Sequence, residues 1–375
     1  MDRFVYRGTE KLRCGYTTGT CAAAAAKAAA EMLLTQHKVT SSAIVTPSGV
    51  SLLLEVHEQS FNSERASCCI VKDSGDDPDI TNGIRVFAAV EKSESGVTII
   101  GGKGIGRVTK KGLDQPVGEA AINSVPRRMI IEAVREMAEM YEYSGGFTVT
   151  VSVPDGEKLA ANTFNPRMGI VGGISIIGTT GIVEPMSNSA IIETIRTEAN
   201  MRRAEGMSTL ILSVGNYSDD FIKTHAPYLS EKAVTCSNFI GEAIDIGVSM
   251  EFENILLIGH IGKLVKLGSG IMNTHSFYAD GRMETLIACG ALAGADIETL
   301  RRIADCVTAD SAIDILAEKD MAEPTLEVLI RRIDHYLKCR VRNKSRIGAV
   351  VFSFKNNVLL KTEDADDIIN TLTEE

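Results

Sequence analysis

LILSVGNYSDDF, residues 210–221, decides the reading of the fold. An apolar run stops at Gly215-Asn216-Tyr217 and then turns polar, with a helix expected from Ser218. A short apolar run bounded by turn residues reads as a strand buried on both faces. NILLIG (254–259) repeats the pattern and ends in Gly259-His260. Helices are expected over 189–205 and 237–248, and TVTVSVP (148–154) reads as a further strand. Strand alternating with helix implies a parallel sheet of the Rossmann type. Ligands bind such sheets at the carboxyl ends of the strands, which makes Gly215, Asn216, Tyr217 and Gly259 candidate binding positions.

Upstream the rhythm differs. AIVTPSGVSLLLEV (43–56) reads as a hairpin turning at Pro47-Ser48-Gly49. Strands are expected near 65–72, 84–91 and 97–100, and Pro126 opens an amphipathic helix, PRRMIIEAVREMAEMYE. Residues 1–145 therefore read as an α+β domain with a mixed or antiparallel sheet. Residues 146–375 read as a Rossmann-like parallel α/β domain with helical additions over 281–341 and a closing hairpin at 346–360. Ser144-Gly145-Gly146 is the expected boundary.

A chain of 375 residues is long for one core, which agrees with two domains. The net charge of −10 argues against a nucleic-acid binder. No apolar run is long enough for a membrane span, and MDRFVYRGTEKLR lacks a leader's apolar segment, so a cytoplasmic protein is expected. The eight cysteines form no Cys-x-x-Cys pair and read as reduced. No His-Glu-x-x-His or Gly-x-Ser-x-Gly pattern occurs, and no resident metal is expected.

Several stretches can carry chemistry. LRCGYTTGTCAAAAAKAAA (12–30) joins a Thr-rich turn to a helix of alanine, capped by Thr18 or Thr20 and running to about Leu34. Its N-terminus, with Thr17, Thr18 and Thr20, suits a carboxylate or phosphate. The bare helix lets a flat ligand come close; the alternative is close helix packing behind an ordinary cap. KDSGDDPDITNG (72–83) holds four aspartates within seven residues, among them Asp76 and Asp77. It reads as a cation-catching loop or as a solvated acidic turn. GGKGIGRVTKK (101–111) offers Lys103, Arg107 and Lys110 to an anion, or is a flexible basic hairpin. GIVGGISIIGTTGIVEPMS (169–187) reads as a buried strand with a tight turn, and Thr179-Thr180-Gly181 repeats the earlier Thr-Thr-Gly. His260 is a base, a metal ligand or a hydrogen-bond donor; His275 sits in the polar knot Asn273-Thr274-His275-Ser276.

Taken in order, GYTTGTCAAAAAKAA, KDSGDDPDITNG, GGKGIGRVTKKGL, GEAAINSVPR, FNPRMGIVGGISIIGTTGIVEPMS and LLIGHIGKLVKLGSGIMNTHS resemble the cobalt-precorrin-5B C1-methyltransferase family, also called CbiD. The chain departs from the family's pattern at Asn82, where a His is frequent, at Ala120 or Ser124, where a Pro is, and at Gly268-Ser269. The resemblance implies methyl transfer from S-adenosylmethionine to C1 of a cobalt macrocycle, with the cobalt carried by the substrate. It implies that Thr17, Thr18, Thr20, Lys103, Arg107, Lys110, Arg127 and Arg128 meet the macrocycle's acetates and propionates, and that the tetrapyrrole lies beside the alanine helix. Strand-end logic then puts this donor at Gly215, Asn216, Tyr217 and Gly259, with Asp219 or Asp220 near the ribose or amino group, and Thr179 and Thr180 are further candidates to bind it. His260 or His275 takes a proton or touches cobalt. The loop with Asp76 and Asp77 steers the cationic donor or holds the domains together. A homodimer and transient contacts with pathway enzymes both stay open. Two other readings stand beside this one: a tetrapyrrole-binding protein without catalysis and, more weakly, a nicotinamide-dependent reductase.

Overall fold

The computed structural model describes residues 3–372. The chain forms two compact units, one ending at Asn188 and the other beginning at Ser189. The first unit is built on a mixed five-stranded sheet in the order His57–Phe61, Arg65–Val71, Arg85–Ser93, Gly146–Ser152, Val97–Gly101. All neighbours are antiparallel except the last pair. The expected boundary at 145/146 is therefore corrected. It falls at the start of Gly146–Ser152, a strand inside the first unit's sheet rather than the opening of the parallel one.

The alanine helix, Thr18–Thr35, lies on the strands Arg65–Val71 and Arg85–Ser93 and against the helix Ser124–Met140. Ala22 to Ala26 and Ala28 to Ala30 are fully buried. The Cys68 thiol even donates to the Ala25 carbonyl, at 3.2 Å. Small side chains here bring a helix close to a sheet and to a second helix at once. Lys27 breaks the run at the one place where the helix reaches Glu136, 2.7 Å away. The hairpin expected at 43–56 forms between Ser41–Val45 and Ser51–Glu55, each alternating exposed and buried residues.

The second unit holds a five-stranded, largely parallel sheet: Val234–Thr235, Thr209–Val214, Asn254–His260, Arg346–Ser353, and an antiparallel edge strand Val358–Lys361. Thr209–Val214 is buried along its whole length and Asn254–His260 up to its last residue, as an unbroken apolar run requires. Helices Asn216–His225, Ile240–Ser249, Ala322–Val341 and Ala365–Leu372 pack on these strands. In chain order the strands lie 2-1-3-4-5, so the direction of winding reverses between Thr209–Val214 and Asn254–His260. Sheets of this kind take their ligands in the crevice at the carboxyl ends of such a pair.

Candidate functional site

The second unit's crevice is bounded by Gly215 on one strand end and by Gly259-His260 on the other. Gly215 adopts φ +83°, ψ 178°, a conformation that side-chain-bearing residues avoid. It lets the chain turn directly into a helix starting at Asn216, earlier than the expected Ser218. Asn216, Tyr217 and Asp220 are exposed on the first turns, whereas Asp219 accepts a hydrogen bond from Ser213, at 2.5 Å. The Tyr217 and His260 rings lie 5.4 Å apart, and Phe352 meets the His260 edge at 5.6 Å.

His260 caps the short helix Ile261–Leu264, its Nδ1 accepting from the Gly262 N–H at 3.1 Å. That commits the ring lone pair, so the neutral imidazole carries its proton on Nε2, 4.0 Å from Asp310 Oδ2. Burial pulls the His260 pKa below the ordinary imidazole value, against the opposing pull of Asp310. Near neutral pH the side chain thus offers a donor at Nε2, not a base. His275 is exposed; its Nδ1 accepts from the Phe277 N–H at 3.2 Å and it shapes its own loop.

In the first unit the two Thr-Thr-Gly segments meet. Thr17, not Thr18 or Thr20, is the helix cap, its Oγ1 accepting from the Thr20 N–H. Thr20 Oγ1 donates to the Gly181 carbonyl at 2.8 Å, the Gly19 N–H to Ile177, and Thr18 Oγ1 both donates to the Ile177 carbonyl and accepts from its N–H. All three threonines are buried. At this helix start, where an anion was expected, the Gly19, Thr20 and Cys21 N–H groups and the Thr18 and Thr20 hydroxyls already have partners within the chain. Ala24 and Ala25 are likewise closed to any macrocycle. Thr179 and Thr180 belong to this first-unit turn, where Thr180 Oγ1 donates to the Ile182 carbonyl at 3.0 Å.

The acidic loop is also engaged. Arg13 grips Asp73 with two hydrogen bonds, Asp76 accepts from the Arg13 N–H at 2.6 Å, and Asp77 from the Met186 N–H at 3.0 Å. Buried Lys72 pairs with Asp79. Asn82 Oδ1 accepts from the Ser74 N–H at 2.9 Å, a task that needs an acceptor and not a charge. The loop is an internally satisfied staple. Arg127 is similarly spent on the Ile122 and Ala120 carbonyls, and Arg128 approaches Glu132 at 3.9 Å. In the glycine loop, Gly104, Gly106 and Gly173 pack backbone on backbone; a Cβ on Gly173 would lie 2.2 Å from the Gly104 carbonyl oxygen. Arg107 donates to Gly118, while Lys103 and Lys110 project into solvent.

Residues 5–185 match the CbiD family, and residues 273–363 match the CbiD C-terminal domain. The chain belongs to the CbiD family. A cobalt-precorrin-5B C(1)-methyltransferase from Ruminiclostridium cellulolyticum is 46% identical across 100% of this chain and 99% of its own. One from Photorhabdus laumondii is 41% identical across 98% and 97%. The solved cobalamin biosynthesis protein (cbiD) from Archaeoglobus fulgidus is 29% identical, covers 73% of this chain and 86% of that one, and has a TM-score of 0.40. The first CbiD match stops at residue 185, beside the break at Asn188.

Sequence reasoning missed Lys263, whose ammonium lies over Gly215 in the CbiD crevice. Its position in Gly259-His260-Ile261-Gly262-Lys263, directly behind a strand end, was the available signal. Among the described residues no group of three or more His, Cys, Asp or Glu is placed to hold a metal ion, and no helix is long and apolar enough to cross a membrane.

Proposed function

We propose that this chain methylates C1 of cobalt-precorrin-5B with S-adenosylmethionine, giving cobalt-precorrin-6A in anaerobic cobalamin biosynthesis. The observation that carries this is identity of 46% with a C(1)-methyltransferase along the whole of both chains, so both units are matched and not one portable domain. The Rossmann-like second unit supports it with a crevice at the point of strand reversal, where ligands of such sheets bind.

The donor, when bound, supplies an electrophilic methyl: C1 forms the new C–C bond as the S–CH3 bond breaks, and the bonding pair stays on the sulfur of S-adenosylhomocysteine. Displacement of this kind depends on alignment more than on a side-chain base, in keeping with His260 being a donor. Gly215 and Gly259 admit a ligand close to the backbone. Tyr217, 65% exposed, offers a flat wall beside His260. In the first unit Lys103, Lys110, Arg107 and Arg128 are cations positioned on exposed surface to meet the macrocycle's carboxylates.

The test is anaerobic incubation with cobalt-precorrin-5B and methyl-labelled S-adenosylmethionine, followed by mass spectrometry and carbon NMR. One labelled methyl on C1 is expected. Tight macrocycle binding by folded protein without transfer would favour a binding protein instead.

A further inference from the structure

One cation in the second unit's crevice stands without a counter-charge. Lys263 lies half-buried in the turn after the strand Asn254–His260. A Cβ built on Gly215 would come within 2.8 Å of its Nζ, so the missing side chain makes room for the ammonium at the point of strand reversal. No carboxylate, carbonyl or hydroxyl partner reaches Nζ among the described residues; only a buried thiol, Cys236, and a second lysine, Lys266, act on it, and burial pulls its pKa down. Lys266 shows what a structural lysine looks like here. It donates to the Thr274 and Ala279 carbonyls at 3.1 and 2.8 Å and lies 3.8 Å from Asp280. Removing a cation from water without such partners costs free energy. A ligand anion would return it.

The inference rests on the methyl-donor reading given above. S-adenosylmethionine bears a sulfonium, an ammonium and a single anionic group, its α-carboxylate. An ammonium repels the first two and attracts only the third. We propose that Lys263 anchors the α-carboxylate of the donor's amino-acid end, against Gly215. This fixes which end of the donor enters the crevice and so where its methyl is presented.

The test compares two ligands on the full-length protein by calorimetry. S-adenosylhomocysteine carries the amino-acid end; 5′-methylthioadenosine has the same nucleoside and thioether without it. Lys263→Met is expected to weaken S-adenosylhomocysteine by about 10- to 100-fold, as loss of a charge-assisted hydrogen bond does, and to leave 5′-methylthioadenosine within about twofold. Lys263→Arg should retain most of the affinity. The ligand-free Met variant should melt no lower than wild type, because it loses an unmatched charge. Equal loss for both ligands, no loss for either, or a lowered melting temperature would overturn the proposal. If wild type makes the labelled product while Lys263→Met binds S-adenosylhomocysteine normally, the inference alone falls. If wild type binds no S-adenosylhomocysteine, the inference and the donor reading fall together.

Discussion

Lys72 is only 3% exposed, and two acceptors meet its amine, Asp79 Oδ2 at 2.5 Å and the Ser74 hydroxyl. Burial works to raise the Asp79 pKa, but the Lys72 ammonium and donors from Lys72 and Thr81 outweigh it and hold the carboxyl below its usual value. A depressed folded pKa gives stability that is present above the unfolded value of about 4 and is lost as pH falls through the folded one. Asp79→Asn leaves a buried cation half-answered and should cost roughly 3 kcal/mol near neutral pH. Urea melts should show the gap between variant and wild type closing below about pH 4; a constant gap would mean that the pair's charge is not what stabilises the loop. The four-aspartate stretch advertised negative charge, yet its answering groups were illegible. Arg13 stands 60 positions from Asp73, and nothing local announces the pairing. Lys263 was hidden for the converse reason: having no partner is a property of the folded surroundings.

At the scale of elements, local pattern was read well and pairing less so. The strands near 65–72, 84–91 and 97–100, the two hairpins and the helices of the second unit stand close to where periodicity puts them. Gly146–Ser152 was assigned to the wrong sheet, although its own pattern carried the correction. Val149 and Val151 are buried while Thr148, Thr150 and Ser152 are half-buried, the alternation of a strand in a sheet with two unlike faces. The parallel strands Thr209–Val214 and Asn254–His260 are instead buried almost from end to end, around the apolar runs Leu210–Leu212 and Ile255–Ile258. The alanine helix held two readings in the sequence, and burial on all sides decides for packing. Ala25 is fully buried, and its backbone carbonyl accepts from the Cys68 thiol of the neighbouring strand at 3.2 Å. Ala25→Leu should therefore destabilise the protein by about 1–3 kcal/mol through overpacking, with Ala25→Ser much milder. Denaturant midpoints check this. A Leu variant as stable as wild type but poor in macrocycle affinity would restore the ligand-face reading.

Over the whole molecule, a net charge of −10 opposes the approach of an anionic macrocycle, so local cations have to overcome the protein's own field. We propose that the stretch from Lys103 to Lys111 supplies them: Lys103, Lys110 and Lys111 are exposed, and the Arg107 side chain donates to the Gly118 carbonyl. Exposed charges act over a Debye length of about 8 Å at physiological salt, so their contribution is both additive in number and easily screened. Two consequences separate this from a structural role. Replacing Lys103 and Lys110 together by Glu should raise KM for the macrocycle by about tenfold, since each reversal turns attraction into repulsion, while kcat stays near wild type. Wild-type KM should also climb between low and high salt, and the double variant's should climb less or fall, because it has lost the attraction that salt screens. Steady-state kinetics at several ionic strengths measure both. If the double variant's KM were unchanged at low salt, the basic loop would not face the macrocycle, and the carboxylates would have to be met by Arg128 or by groups outside this stretch.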